Sequence, residues 1–173
     1  MSAARTQPLT WSIIDTPVGA VIGVATAKGL CRVLVGANQR AVTREFRAAY
    51  PDAELIRDDA AMRSSMRALA AITRGKSAAQ IVTDVDGTPF QESVWRALNR
   101  IPKGQTRSYG EIAKAIRQPK AARAVASACA SNPIALVVPC HRVIHADGTV
   151  SGYAWGVDVK RALLDVEGSH YRG

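Results

Sequence analysis

The chain has 173 residues, with 23 Lys plus Arg against 14 Asp plus Glu, a formal charge of +9, 47% hydrophobic residues and 5% aromatics. That length and apolar content suit one large domain or two small ones with real cores, and they exclude collagen-like, mucin-like and disordered chains. No apolar run approaches the roughly 18 residues of a membrane helix, residues 1–7 do not read as a signal peptide, and three unevenly spaced cysteines point to a reducing interior rather than a disulfide scaffold.

The pattern predicts a small antiparallel meander at the start. Residues 10–14, 20–25 and 30–35 are β-branched and apolar, and Pro17-Val18-Gly19 and Lys28-Gly29 punctuate them. Helices are predicted over 40–50 and 60–73, the second carrying Met62, Met66, Leu69 and Ile72 on one face; a core-packing stripe explains these methionines better than a partner groove. Residues 81–85 alternate like a strand. Thr88, Pro89 and Gln91 form a capping-box start for a helix whose buried stripe is Phe90, Val94, Leu98 and Ile101. A second box at Ser108 and Glu111 opens a helix that stops before Pro119, and another is predicted over 120–130. Two short helices across a tight turn make a helix-turn-helix candidate. The fold class is therefore α+β: a small sheet-plus-helix domain over 1–87 and a mainly helical domain over 88–173.

Charge is unevenly spread. Residues 1–87 hold 11 basic and 8 acidic side chains, and residues 88–173 hold 12 and 6. Between Ser93 and Arg142 there are nine basic residues and a single acid, Glu111, which is the footprint of a phosphate-tracking surface or, alternatively, of a solvated basic face. The helix containing Ala122, Arg123 and Ala126 is built of small residues, which serve either close core packing or close approach to a nucleic-acid groove with Arg123 projecting.

Residues 134–138 are wholly apolar and read as a buried strand that ends in Pro139-Cys140-His141-Arg142-Val143. A cysteine there beside a histidine is a candidate nucleophile, because imidazole can take the thiol proton and the thiolate is the reactive form. Neighbours on an extended chain point to opposite faces, so a direct pair needs a sharp bend or a bridging water. The other reading is an inert buried cysteine. Cys140, His141 and His145 lack the spacing of a zinc site, and Cys31 and Cys129 read as packing residues, so no metal is expected.

These residues resemble the O6-alkylguanine-DNA alkyltransferase family. The likeness runs from the Phe90 helix through Ser108-Tyr109, Arg123-Ala124-Val125, Asn132-Pro133 and the Pro139–Val143 motif to Glu167-Gly168, about 80 residues. Ser151-Gly152-Tyr153 with Trp155-Gly156 is worded like the alkyltransferase domain of the bacterial adaptive-response protein, whose extra metal-binding and regulatory domain has no counterpart here. The resemblance implies a ribonuclease H-like first domain, a winged helix-turn-helix second domain, and single-turnover transfer of a methyl or small alkyl group from O6-methylguanine, and from O4-methylthymine, to the chain's own Cys140. It implies that His141 activates the thiol through a water and that Glu167 orients His141. Asn132 would brace the turn before the site, and Tyr109 would aid phosphate rotation and proton supply. Arg123, flanked by Ala122 and Ala126, would replace the extruded base, and Val143, Tyr153, Ala154 and Trp155 would line the guanine pocket. Trp155 stands where some relatives carry a small residue, so bulky groups should fit poorly. The implied partner is duplex DNA bearing O6-alkylguanine, bound by a cytoplasmic, nucleoid-associated monomer without cofactor or membrane contact. A non-catalytic lesion binder and a cysteine hydrolase are the competing expectations.

Overall fold

The computed structural model describes residues 7–77 and 80–172; residues 1–6, most of the segment weighed as a signal peptide, lie outside the described residues. The chain forms two compact units, Met1–Val85 and Asp86–Gly173.

In the first unit β1 (Leu9–Thr16), β2 (Gly19–Thr26) and β3 (Gly29–Gly36) form the antiparallel meander, each strand a residue or more longer than its apolar run. Gly19 takes a positive φ of 118° at the first turn, where a Cβ would lie 2.4 Å from the Gly36 carbonyl oxygen, so only glycine fits. A fourth strand, β4 (Leu55–Arg57), pairs parallel to β1 and gives the order β3-β2-β1-β4, so the sheet is mixed and not purely antiparallel. Three residues are too few to show a strand period, which is why the pattern did not announce it.

Alternation along the strands buries both faces. Trp11, Ile13, Ile22, Val24 and Leu34 pack with Val42 and Phe46 of α1 (Gln39–Ala49), which Asn38 caps through the Ala41 N–H. On the other face Gly23 makes room for α2 (Arg63–Ile72): a Cβ there would lie 2.8 Å from the Met66 sulfur. Met62, Met66 and Leu69 are buried, which places the methionine stripe in the core. Residues 81–85 form no strand. One bridge, Leu30 to Thr83, is made, with Leu30 N donating to Val82 O and Asp84 N to Leu30 O, while Val82 stays 70% exposed. The alternation is real, but the pairing stops at one residue.

In the second unit both capping boxes are made. Thr88 and Gln91 open α3 (Pro89–Leu98), and Ser108 and Glu111 open α4 (Tyr109–Ala115). α4 ends in a turn with Arg117 at φ 60° and Gln118 N donating to Ala113 O at 2.8 Å, the six-to-one closure of a left-handed helix cap. α5 (Ala122–Ala130) follows, starting two residues after the predicted residue 120. Its small residues have two faces: Val125, Ala128 and Cys129 are buried, and Arg123 and Ser127 are exposed. Trp95 of α3 donates its indole N–H to the Ala128 carbonyl at 2.9 Å and fixes the height of α5. β5 (Arg107–Ser108) pairs parallel with β6 (Val143–Ile144), and α6 (Val157–Glu167) packs its Leu164 on Ile144 and Val150.

The apolar run 134–138, buried except for the half-buried Val137, is not a strand. Val138 N donates back to Ile134 O, and Leu136 sits at φ 72°, a left-handed conformation that β-propensity alone would not choose. The Asn132 side chain holds this turn. Its Oδ1 accepts from Ile134 N at 3.1 Å and its Nδ2 donates to Val138 O at 2.9 Å, so satisfied backbone groups overrule the apolar pattern. No helix among the described residues is long and apolar enough to cross a membrane.

Candidate active site

The turn hands the chain to a single 3-10 turn, Cys140–Arg142, but this bend makes no direct Cys140–His141 pair, since His141 Nδ1 has no partner among the described residues. Cys140 is 3% exposed and its sulfur accepts from Asn132 Nδ2 at 3.2 Å. Asn132 thus fixes the turn and touches the thiol with one amide. Burial pushes the Cys140 thiol above its ordinary value, with the Asn132 hydrogen bond and the Lys160 charge pulling the other way. The resting sulfur therefore carries its proton and needs a base.

His141 is completely buried, and burial holds its imidazole below the ordinary value despite the nearby Glu167 carboxylate. Nε2 lies 3.0 Å from Glu167 Oε1. An ionised carboxylate only accepts, so Nε2 carries the ring proton and Nδ1 keeps its lone pair. Burial would raise Glu167, but hydrogen bonds from His141 and Arg142 outweigh it and hold the carboxyl at about 2. Arg142 donates Nε to Oε2 at 2.9 Å, Nη2 to Oε1 at 2.8 Å and Nη1 to the Ile101 carbonyl at 2.7 Å. The result is a line from an anion to an oriented, neutral base whose Nδ1 is buried without a partner among the described residues, next along the chain to a protonated thiol; nucleophilic group transfer needs a base and a thiol of this kind, here joined through a water.

Cys140 lies on the wall of a cavity of about 760 Å³ that also takes in Tyr109, Ala122, Arg123, Ala126, Cys129, Tyr153, Ala154 and Lys160. Of the expected DNA-side and pocket residues, this brings together Tyr109, Ala122, Arg123, Ala126, Tyr153 and Ala154. Val143 is wholly buried in β6 and does not reach the cavity wall, and Trp155 packs edge-on against the Tyr153 ring, centroids 5.3 Å apart, also off the wall. Tyr109 is pushed up to about 12 by burial and by the two neighbouring thiols, so it remains a phenol that can donate. Burial and the Cys140 sulfur likewise drive Tyr153 well above its ordinary value. Cys129 is pushed up to about 12 by burial and stays an inert thiol on the wall.

Lys160 is the site residue the sequence reading missed. It is 1% exposed, and its ammonium lies 6.0 Å from the ring centroids of both Tyr109 and Tyr153. Burial lowers its pKa, and the sulfur atoms of Cys140 and Cys129 partly restore it. The signal was present: Lys160, Leu163, Leu164 and Glu167 form the inward stripe of α6, with a charged residue at each end. Among the described residues no three His, Cys, Asp or Glu side chains are grouped to hold a metal.

A buried thiol, a carboxylate-oriented imidazole and a cavity with Arg123 on its wall together make a candidate site for group transfer to a cysteine. Comparison with known proteins narrows this. Residues 89–169 match the family described as 6-O-methylguanine DNA methyltransferase, DNA binding domain. A methylated-DNA–protein-cysteine methyltransferase of Methanosarcina acetivorans is 41% identical over 160 residues, 92% of this chain and 98% of that protein. The bifunctional transcriptional activator/DNA repair enzyme Ada of Escherichia coli is 39% identical over 89% of this chain, which spans only 44% of that protein's length. A solved Mycobacterium tuberculosis OGT in complex with DNA superposes with a TM-score of 0.78 at 38% identity, covering 92% of each chain. The chain belongs to the methylated-DNA–protein-cysteine methyltransferase family.

Proposed function

We propose that this protein repairs DNA by direct reversal, moving a methyl or small alkyl group from O6-alkylguanine, and from O4-methylthymine, in duplex DNA to Cys140 and ending its own activity in doing so. The observation that carries the reading is the Cys140 sulfur on the wall of the Arg123-rimmed cavity, backed by the His141–Glu167 pair. A base stacked in a duplex exposes too little of its O6 edge for a buried thiol to reach, so the nucleotide must leave the stack, at a cost of a few kcal/mol. Arg123, which is exposed on α5 and lines the cavity, fills the gap in this reading.

The chemistry balances without cofactor. His141 Nδ1 takes the thiol proton through a water, the sulfur forms a bond to the alkyl carbon, and the O6–carbon bond breaks. The guanine leaves as the lactam after gaining a proton, for which the Tyr109 phenol is the donor in the cavity. Lys160 stabilises the thiolate from the cavity wall. A thioether offers no leaving group, so the sulfur is not regenerated.

In this reading residues 88–173 work as a winged helix-turn-helix alkyltransferase domain, with α4 and α5 on the duplex, and residues 1–87 form a supporting domain of ribonuclease H-like type. The protein acts as a nucleoid-associated monomer. The test is incubation with a duplex containing one O6-methylguanine, followed by peptide mass analysis. The Cys140 peptide gains one methyl per molecule and the reaction stops at one equivalent. No gain on that peptide overturns the proposal, and repeated turnover indicates a hydrolase. Cys140→Ala separates repair from lesion binding alone, because binding survives it and transfer does not.

A further inference from the structure

Asn132, whose amide touches the Cys140 sulfur at 3.2 Å, lies two residues beyond the end of α5. A continuing helix would aim the Asn132 N–H at the Ala128 carbonyl, but it donates to the Cys129 carbonyl at 3.3 Å. Ala128 O is thus one of the terminal carbonyls that a helix leaves without its usual partner. Two side chains take that place. Trp95 donates its indole N–H at 2.9 Å, and Ser131 donates its hydroxyl at 3.1 Å. Ser131 Oγ accepts in turn from Gln91 Nε2 at 2.9 Å, and Gln91 Oε1 accepts from Thr88 N at 2.9 Å, so the capping box of α3 is tied to the end of α5.

Trp95 is buried and does not line the Cys140 cavity, so any effect it has on the thiol travels through α5. Gly87 gives its ring room: a Cβ there would lie 2.6 Å from Trp95 Cζ3 and 2.9 Å from Cη2. An indole N–H is a single donor with a fixed direction, so the seat of the ring sets the position of Ala128 O. One peptide further on, Cys129 O holds Asn132 N, and the amide of the same asparagine holds Ile134 N, Val138 O and the Cys140 sulfur. The line from Trp95 to the thiol is unbroken.

We propose that Trp95 is a positioning residue, which through the last turn of α5 holds the Asn132 amide on the Cys140 sulfur. Its bearing on repair rests on Cys140 as the acceptor proposed above. Burial raises the thiol, and the Asn132 amide is the strongest influence pulling it back. A hydrogen bond to an ionised group is worth roughly one to two pKa units, so an amide displaced from the sulfur leaves less thiolate at neutral pH. The other titratable groups around the sulfur are Tyr109, Cys129, Tyr153 and Lys160 on the cavity wall and His141 next along the chain. The substitutions that test the proposal leave all of these in place.

The test follows the pH midpoint of Cys140 labelling by iodoacetamide, read from the mass of its peptide, in the intact chain without DNA. Trp95→Phe keeps an aromatic ring and removes the donor. Its midpoint rises by about one pH unit, and labelling at about pH 7 and methyl transfer from O6-methylguanine duplex both slow about tenfold. A Trp95→Phe protein that melts below the parent yet keeps its midpoint makes the indole a packing group only and overturns the proposal. Where Trp95→Phe does not fold, Ser131→Ala decides, because this exposed residue is the second donor to the same carbonyl. Its midpoint rises by about half a unit, and an unchanged midpoint then overturns the proposal. A shifted midpoint in a protein whose parent gains no methyl from the duplex leaves the positioning role standing and fails the repair reading instead.

Discussion

Replacing Glu167 by Gln keeps the side chain's shape and removes its charge. Glu167 accepts from His141 Nε2 at 3.0 Å and from Arg142 Nε and Nη2 at 2.9 and 2.8 Å, with its side chain 3% exposed. A carboxyl held at about 2 against an ordinary 4.5 contributes about 3 kcal/mol of folding stability, at roughly 1.4 kcal/mol per pH unit. Removing one partner of a buried pair independently costs about 3–5 kcal/mol, and the amide oxygen, which still accepts, keeps the loss near the lower end. For a chain of this size that lowers Tm by roughly 10 °C. The sign with pH follows from the folded value lying below the unfolded one. This stability is present above about pH 4.5 and is lost as pH falls toward about 2, so the parent and Glu167→Gln stability curves converge in acid. Methyl transfer also falls, because the imidazolium that forms when His141 takes the thiol proton loses its anion, and about 3 kcal/mol is roughly a hundredfold in rate. Thermal melts across pH and single-turnover rates on O6-methylguanine duplex measure both effects. A variant that melts within about 2 °C of the parent and reacts within about threefold of it refutes the reasoning.

Lys160→Met removes a buried ammonium and fills its space with apolar atoms; stability rises by about 1–2 kcal/mol while transfer slows about tenfold for want of the cation near the thiolate, and a variant losing both stability and rate contradicts this. Arg123→Ala leaves Tm unchanged and slows transfer from duplex at least about tenfold more than transfer from free O6-methylguanine base; equal losses on the two substrates contradict the base-replacement role. Trp155→Gly frees the Tyr153 ring that Trp155 packs against and speeds reaction with O6-benzylguanine by about tenfold or more, a competition assay being sufficient to see it.

Local chemistry made the helices of the second unit legible: Thr88 with Gln91 and Ser108 with Glu111 are capping boxes in sequence and in space. The sheet core was legible from alternation, but the three residues of β4 were not, since their pairing with β1 is a tertiary choice. Residues 134–138 misled because apolarity records burial and says nothing of backbone shape; Asn132, six residues before Val138, decides that shape through its amide. At the candidate site, the Pro139–Val143 motif singled out Cys140 as the candidate nucleophile, and the resemblance supplied Glu167, which the structure sets 3.0 Å from His141 Nε2. Lys160 escaped because a lysine on a helix is ordinarily solvated. Its place on the stripe with Leu163 and Leu164 was the clue, and reading α6 for charged residues among its inward positions would have found both ends at once.

That last helix has a genetic consequence. The thiol, the base and the asparagine that braces them are all encoded by residue 141, but the carboxylate that orients the base is Glu167, at the final turn of α6. A stop or frameshift between the Pro139–Val143 motif and Glu167 leaves that motif in the translated sequence and removes the carboxylate that His141 Nε2 faces. A reading frame that keeps the Pro139–Val143 motif but lacks Glu167 should therefore not be scored as intact on the motif alone.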